Sequence, residues 1–240
     1  MTATNLTPDP PGASDVTPGL TSATTGQPAP VASSTRLRLL CGIVAGPMYL
    51  VVSYAQALTR DGFDLTRNAF SYLSIGHLGW IQITNFVVSG LLFVVAATGI
   101  WQLLRSQRGG TWGPVLIGGL GAGMIAGGVF VADPAFGFPP GAPDGQPDML
   151  SWHGIGHAIA FAVAMLSWIA ACFVLARRFA AQGQRGWAAY SLIAGVVLTA
   201  AIGTAVAPPG AVIIYVAGTV GWTWTSLVIA HLLTGARSVT

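Results

Sequence analysis

Six apolar runs, each long enough to cross a hydrocarbon layer, constrain this 240-residue chain more than any other feature. A core about 30 Å thick takes roughly 20 helical residues. Such runs fall near 37–58, 80–104, 113–132, 153–176, 187–207 and 211–233. Lipid offers no partner to a bare peptide group, so a crossing segment closes its own hydrogen bonds as a helix or joins a closed barrel. A barrel needs short alternating segments, and the sequence has none. The expected fold is an all-α membrane protein, a six-helix transmembrane bundle over residues 36–235.

Composition closes off the alternatives. Charged residues make up 7% of the chain, against about 25% in a soluble domain. They are ten Arg and seven Asp, with no Lys and no Glu. Seventeen charges cannot cover a 24.6 kDa water-soluble surface, which excludes a soluble enzyme. The net charge of +3 is no sign of a nucleic-acid partner, because the Arg residues are scattered in loops. The partners implied are membrane lipids. Cys41 and Cys172 both fall in apolar runs and read as buried free thiols rather than a bridge.

Residues 1–35 differ in composition, being rich in Pro, Thr and Ala. They bury too little apolar area to offset their ordering entropy, so they read as a disordered cytosolic tail. No basic start leads into an apolar stretch, so they are not a signal peptide. The Arg residues then set the orientation. With the N-terminus inside, the inner segments carry Arg36, Arg38, Arg105, Arg108, Arg177, Arg178, Arg185 and Arg237, and the outer loops carry only Arg60 and Arg67. That bias places both termini in the cytosol and the chain in the cell membrane as a multi-pass protein.

Small residues recur at helical spacing. Gly119, Gly123 and Gly127 form one stripe, and Gly42 with Gly46 a shorter one. Both suit close packing of helices within the chain, and the longer stripe also offers a seam for a homo-oligomer. Pro47 is expected to kink the first helix. Ala207-Pro208-Pro209-Gly210 reads as a tight turn between the last two helices.

Polar residues collect on the outer side. From Asp64, a candidate N-cap, helical spacing places Arg67, Asn68, Ser71 and Ser74 on one stripe and Leu65, Ala69, Tyr72 and Leu73 on the other. This predicts a short amphipathic helix at the outer interface. His77, an interfacial Trp80, Gln82 and Asn85 follow. Asp133-Pro134 closes the third run, a Pro- and Gly-rich loop suits a semi-rigid cover, and the fourth run opens with His153 and His157 at i and i+4. Arg60 is expected to pair with Asp61 or Asp64. Arg67 is the candidate for an anion such as a lipid phosphate, and His231, at the opposite end, reads as structural.

Ionisable groups at membrane depth are costly, so the cluster His77, Asp133, His153 and His157 is a functional-site hypothesis. Two or three His with a carboxylate could hold zinc and a water. Haem would instead need axial His from opposing elements, such as His77 facing His157. The plainer reading gives the two His hydrogen bonds to neighbouring helices. No cofactor is fixed by these residues alone. There is no GxSxG elbow, P-loop, CxxCH or CxxC, and without Glu an enzyme would work with Asp, His or Ser.

The block Arg67-Asn68-Ala69-Phe70-Ser71-Tyr72-Leu73-Ser74-Ile75-Gly76, with Gly79-Trp80-Ile81-Gln82, Asn85-Phe86 and Gly90, resembles the bacterial membrane family catalogued as domain of unknown function number 998. Asp133-Pro134, His153-Gly154 and His157 fit the same pattern, and the resemblance covers roughly residues 37–235. It implies a six-helix membrane protein of no established activity. The order Ser71 or Ser74, His77, Asp133, His153, His157 is also similar to that of adiponectin-receptor and alkaline-ceramidase type zinc hydrolases. Those have seven helices rather than six and carry the HxxxH pair last.

Three functions follow as expectations. The first is binding of a lipid or small molecule in a polar pocket at the outer face, lined by Arg67, Asn68, Ser71, Ser74 and Asn85 beside the His cluster. The alternative is a zinc-dependent hydrolase of a lipid amide or ester built on Asp133, His153 and His157. The third is a small transporter, which the lack of a charged residue at mid-membrane disfavours.

Overall fold

The computed structural model describes residues 1–3, 31–204 and 210–235. These residues form six long helices: α1 Ser33–Thr59, α2 Gly79–Leu104, α3 Trp112–Val129, α4 Trp152–Ala181, α5 Arg185–Thr204 and α6 Gly210–Gly235. All six are long and apolar enough to cross a membrane. The protein is therefore a multi-pass, all-helical membrane protein. Most of the expected 1–35 tail and of the expected turn at 207–210 lie outside the described residues, although Ser33–Thr35 open α1 and Gly210 opens α6. α1 runs through Pro47 as one helix.

Each helix packs chiefly on its neighbours in the chain, and α6 returns to α1, so the six close into a ring. Side chains that turn outward are large and apolar, among them Val51, Leu91, Val115, Leu166, Val196 and Val216. Such a surface suits lipid, which sets no cost on exposing them. Exposed Trp residues mark the helix ends: Trp80 and Trp152 at one end of the ring, Trp101 and Trp112 at the other. Trp80 and Trp101 are 21 residues apart on one helix, about 32 Å at 1.5 Å per residue. That matches the roughly 30 Å hydrocarbon core with an aromatic belt on each side.

Glycine sets the closest crossings. A Cβ on Gly90 would lie 2.6 Å from the Gly121 carbonyl oxygen, and one on Gly121 the same distance from that of Gly90. α2 and α3 therefore touch backbone to backbone. The Gly119, Gly123 and Gly127 stripe is spent in the same way on α4. Gly119 faces Ser167, and a Cβ on Gly123 would meet the Ala164 amide at 2.6 Å and the Ala160 carbonyl at 2.8 Å. The stripe is covered within the chain, as the favoured reading of the sequence expected, and nothing in it supports the alternative of a homo-oligomer seam.

Aromatic rings fill the middle of the ring. Trp222 of α6 stacks on Phe93 of α2 (5.5 Å, 16°) and lies 4.1 Å from Trp168 of α4 and 4.9 Å from Tyr49 of α1, centroid to centroid. The buried indole N–H of Trp168 donates to Thr225 Oγ1 at 2.8 Å, and that of Trp224 to Ser191 Oγ at 2.9 Å. Both polar tips are thus satisfied, as burial in an apolar core demands.

Two helix ends differ from expectation. α3 stops at Val129 rather than 132, because Phe130 turns extended and its carbonyl accepts from His157. α4 runs on to Ala181 rather than 176, carrying Arg177 and Arg178 inside it. Arg178 points inward, where Nη1 donates to the Arg108 carbonyl (2.6 Å) and Nη2 to Gln107 Oε1 (2.7 Å). The α2–α3 connection thereby anchors the last turn of α4.

Candidate functional site

The α1–α2 connection, 60–78, and the α3–α4 connection, 130–151, cover one end of the ring. The amphipathic helix expected from Asp64 is not what forms there. Asp64 Oδ1 accepts from the Thr66 amide and hydroxyl, making a local turn that holds its carboxyl below the usual carboxylate range. Asn68 then ends the turn. Its Oδ1 accepts from the Asp64 amide (2.8 Å) and its Nδ2 donates to the Phe136 carbonyl (3.1 Å), so the side chain is fully buried between the two connections. Ala69 is extended, and only a five-residue 3₁₀ helix, Phe70–Ser74, follows.

Arg60 fastens this short helix. Nη1 donates to the Leu73 carbonyl (2.6 Å), Nη2 to that of Ile75 (2.7 Å), and the guanidinium lies 5.1 Å over the Phe138 ring. The expected pair with Asp61 or Asp64 is not formed, because the carbonyls at the end of a 3₁₀ helix offer Arg60 two acceptors in the plane of its fork. The ion pair among the described residues is Arg67 with Asp144, at 3.6 Å and exposed, and Arg67 also donates to the Asp144 carbonyl. From α6, the Tyr215 hydroxyl donates to the Asn68 carbonyl. Its ring packs on Phe70 (4.5 Å), which also meets Tyr54 edge-on. Tyr72 faces the α3–α4 connection, and its phenol is pushed up by burial and by the charge of Asp133.

Beneath this cover, and above the Trp168–Trp222 floor, lies a cavity of about 140 Å³. All six helices line it: Tyr49 and Leu50, Phe86, Leu120 to Gly127, His157 to Trp168, Leu198 to Ile202, and Ile214 to Trp222, with Phe70 and Ser71 as the ceiling. The lining is overwhelmingly apolar. Among the described residues no Arg and no Asp reaches it.

The sequence-predicted residues do not converge on one pocket. Ser71 lines the cavity, whereas Asn68 is consumed in the cover, Arg67 is exposed above it, and Ser74 Oγ is buried with no partner. Asn85 belongs to a separate polar network between α1 and α2. Its Nδ2 donates to the Tyr49 carbonyl and to Ser53 Oγ, both at 3.1 Å, while Gln82 Oε1 accepts from Gln56 at 2.8 Å. Ser89 and Asn85 extend it one turn deeper.

The candidate metal set is dispersed as well. Asp133 Oδ2 accepts from the Ser151 amide (2.7 Å) and Oδ1 from its hydroxyl (2.5 Å), while Ser151 Oγ caps α4 at the Gly154 amide. Both carboxylate oxygens are thereby occupied in fixing the start of α4. His153 lies against Trp152 and Phe130 with Nδ1 buried and unpartnered. His157 Nδ1 faces the carbonyls of Phe130 (2.7 Å) and Gly127 (3.3 Å). His77 is exposed. Among the described residues no group of three His, Cys, Asp or Glu is placed to hold a metal ion. His231 stacks on Trp187 and bonds Gln184 at 2.8 Å.

Sequence reading missed the cavity because its walls come from mid-helix Ala, Gly and aromatic positions on six elements. The one local signal was Tyr215 and Trp222, two large aromatics seven residues apart on one face of α6.

Residues 43–235 match the family described as Protein of unknown function (DUF998). No curated protein and no solved structure matches the chain.

Proposed function

The chain belongs to the DUF998 family of proteins of unknown function, and from that premise we propose that it binds a small lipid-like molecule in the cavity at the centre of its helix ring. One observation carries the reading: about 140 Å³ of space bounded by apolar walls, a tryptophan floor and a fastened cover. A largely apolar cavity of this size gains by taking an apolar guest, since empty space forfeits the dispersion contacts of its lining. Arg67, Asn68, Ser71, Ser74 and Asn85 then divide their tasks. Ser71 touches the guest, Asn68 and Ser74 belong to the cover, Arg67 holds the outer rim, and Asn85 stiffens α1 against α2. The orientation we favour puts the covered end outside the cell membrane and both termini in the cytosol, as the Arg distribution requires.

Lipid extraction with mass spectrometry tests this. The wild-type protein, purified in detergent, retains an amphiphile enriched well above its share in the micelle. Ala217→Phe, which fills the cavity from a buried α6 position, retains none while keeping its helical content. Equal retention by the two proteins overturns the reading.

A further inference from the structure

On the reading that the cavity takes a guest, we infer that the guest carries a neutral hydroxyl at its polar end: it is an alcohol with an apolar body, not a carboxylate, phosphate or amine. Polar side chains that line the cavity include Ser71, His157, Tyr215 and Thr219. The Tyr215 hydroxyl is already committed to the Asn68 carbonyl, and Thr219 Oγ1 pairs with the Tyr54 hydroxyl at 3.3 Å. Ser71 Oγ and His157 Nε2 bond to none of the described residues.

The chemistry of His157 decides what it can recognise. Both atoms facing Nδ1 are carbonyl oxygens, which accept and cannot donate. Nδ1 therefore carries a hydrogen, and in the tautomer this selects Nε2 is the acceptor. An ester, ether or ketone oxygen has no hydrogen to give it. A hydroxyl has that hydrogen, and donates it to Nε2 in a single hydrogen bond.

Charge argues the same way. Among the described residues no Asp and no Arg lines the cavity, so a carboxylate, phosphate or ammonium would enter without a counter-ion from them at a steep desolvation cost. His157 is five residues inside the interfacial Trp152, about 7.5 Å along the helix. A hydroxyl at that depth still sits near the membrane border, with its apolar body pointing to the Trp222 floor. About 140 Å³ holds a body of roughly six carbons, close to the size that takes benzene. A longer chain leaves past Phe161, the one wall residue that is exposed, at 41%.

The full chain in detergent, titrated with 6-bromohexan-1-ol, 1-bromohexane and 6-bromohexanoate at equal mole fraction in the micelle, tests the inference. Bromine quenches indole fluorescence, and Trp168 and Trp222 line the cavity. The quenching that saturates in the wild type and vanishes in Ala217→Phe reports the cavity alone. The alcohol is expected to bind about fivefold more tightly than the alkane, the usual gain from one hydrogen bond, and the carboxylate more weakly than either. His157→Phe brings the alcohol down to the level of the alkane. Equal binding of alcohol and alkane, or tightest binding of the carboxylate, overturns the alcohol and leaves the cavity reading standing. No saturable quenching by any of the three overturns both. The wild-type series decides this even if His157→Phe fails to fold.

Discussion

Arg60 shows what a single residue does here and why sequence could not assign it. Its neighbours Asp61 and Asp64 made an ion pair the natural expectation, yet its fork closes on two carbonyls thirteen and fifteen residues later. Only the return of the chain over α1 reveals those acceptors. Hydrogen bonds from a charged donor are worth about 1.5–3 kcal/mol each when buried, and less at this half-buried site. Arg60→Ala should cost about 1–2 kcal/mol locally, read as faster amide exchange over residues 70–76 with little change in the six helices. Arg60→Lys should recover less than half, because an ammonium cannot span both carbonyls in one plane. Unchanged exchange in Arg60→Ala would remove the residue from its role as the fastening of the cover. Asn68 is a similar case. A polar residue on a supposed surface stripe is fully buried, since two connections meet on its amide.

At the scale of elements, the helices were legible and their contacts were not. Long apolar runs fix a helix in lipid by backbone bonding alone, so all six starts were found within four residues. The ends at 129 and 181 depended on tertiary partners, His157 and the α2–α3 connection, which periodicity does not encode. The amphipathic helix from Asp64 failed for the same reason, as Asn68 bonds across to Phe136 instead of continuing a turn. The glycine stripe was correctly read as a packing face, but its partner, α4, needed the fold. Gly121→Leu is predicted to force α2 and α3 apart and to destabilise the protein by about 3 kcal/mol or more, beyond ordinary overpacking because backbone cannot yield. Val115→Leu, on the lipid-facing side of the same helix, should be neutral within about 0.5 kcal/mol. Thermal unfolding in detergent compares the two, and equal midpoints would contradict the crossing.

For the whole molecule, the ring, the aromatic belts and the Arg distribution give one arrangement. A cover rich in Asp and Pro lies at one end, seven of the nine Arg among the described residues lie at the other, and the cavity is held between them. In a background with Cys41→Ala and Cys172→Ala, a membrane-impermeant maleimide is predicted to label Asp148→Cys on intact cells and to leave Arg108→Cys unlabelled until the membrane is opened. The reverse pattern would invert the protein and put the cavity mouth on the cytosolic side. The central claim, a cavity built to hold a guest, is tested most directly by anomalous scattering from crystals of the full chain soaked with 6-bromohexan-1-ol. A bromine peak among Leu198, Ala217 and Trp222 is predicted, and Ala217→Phe should abolish it. Bromine found only in the open groove on the outside of α3 and α4, beside Ala122, Gly156 and Ile159, with the centre of the ring empty, would contradict the account.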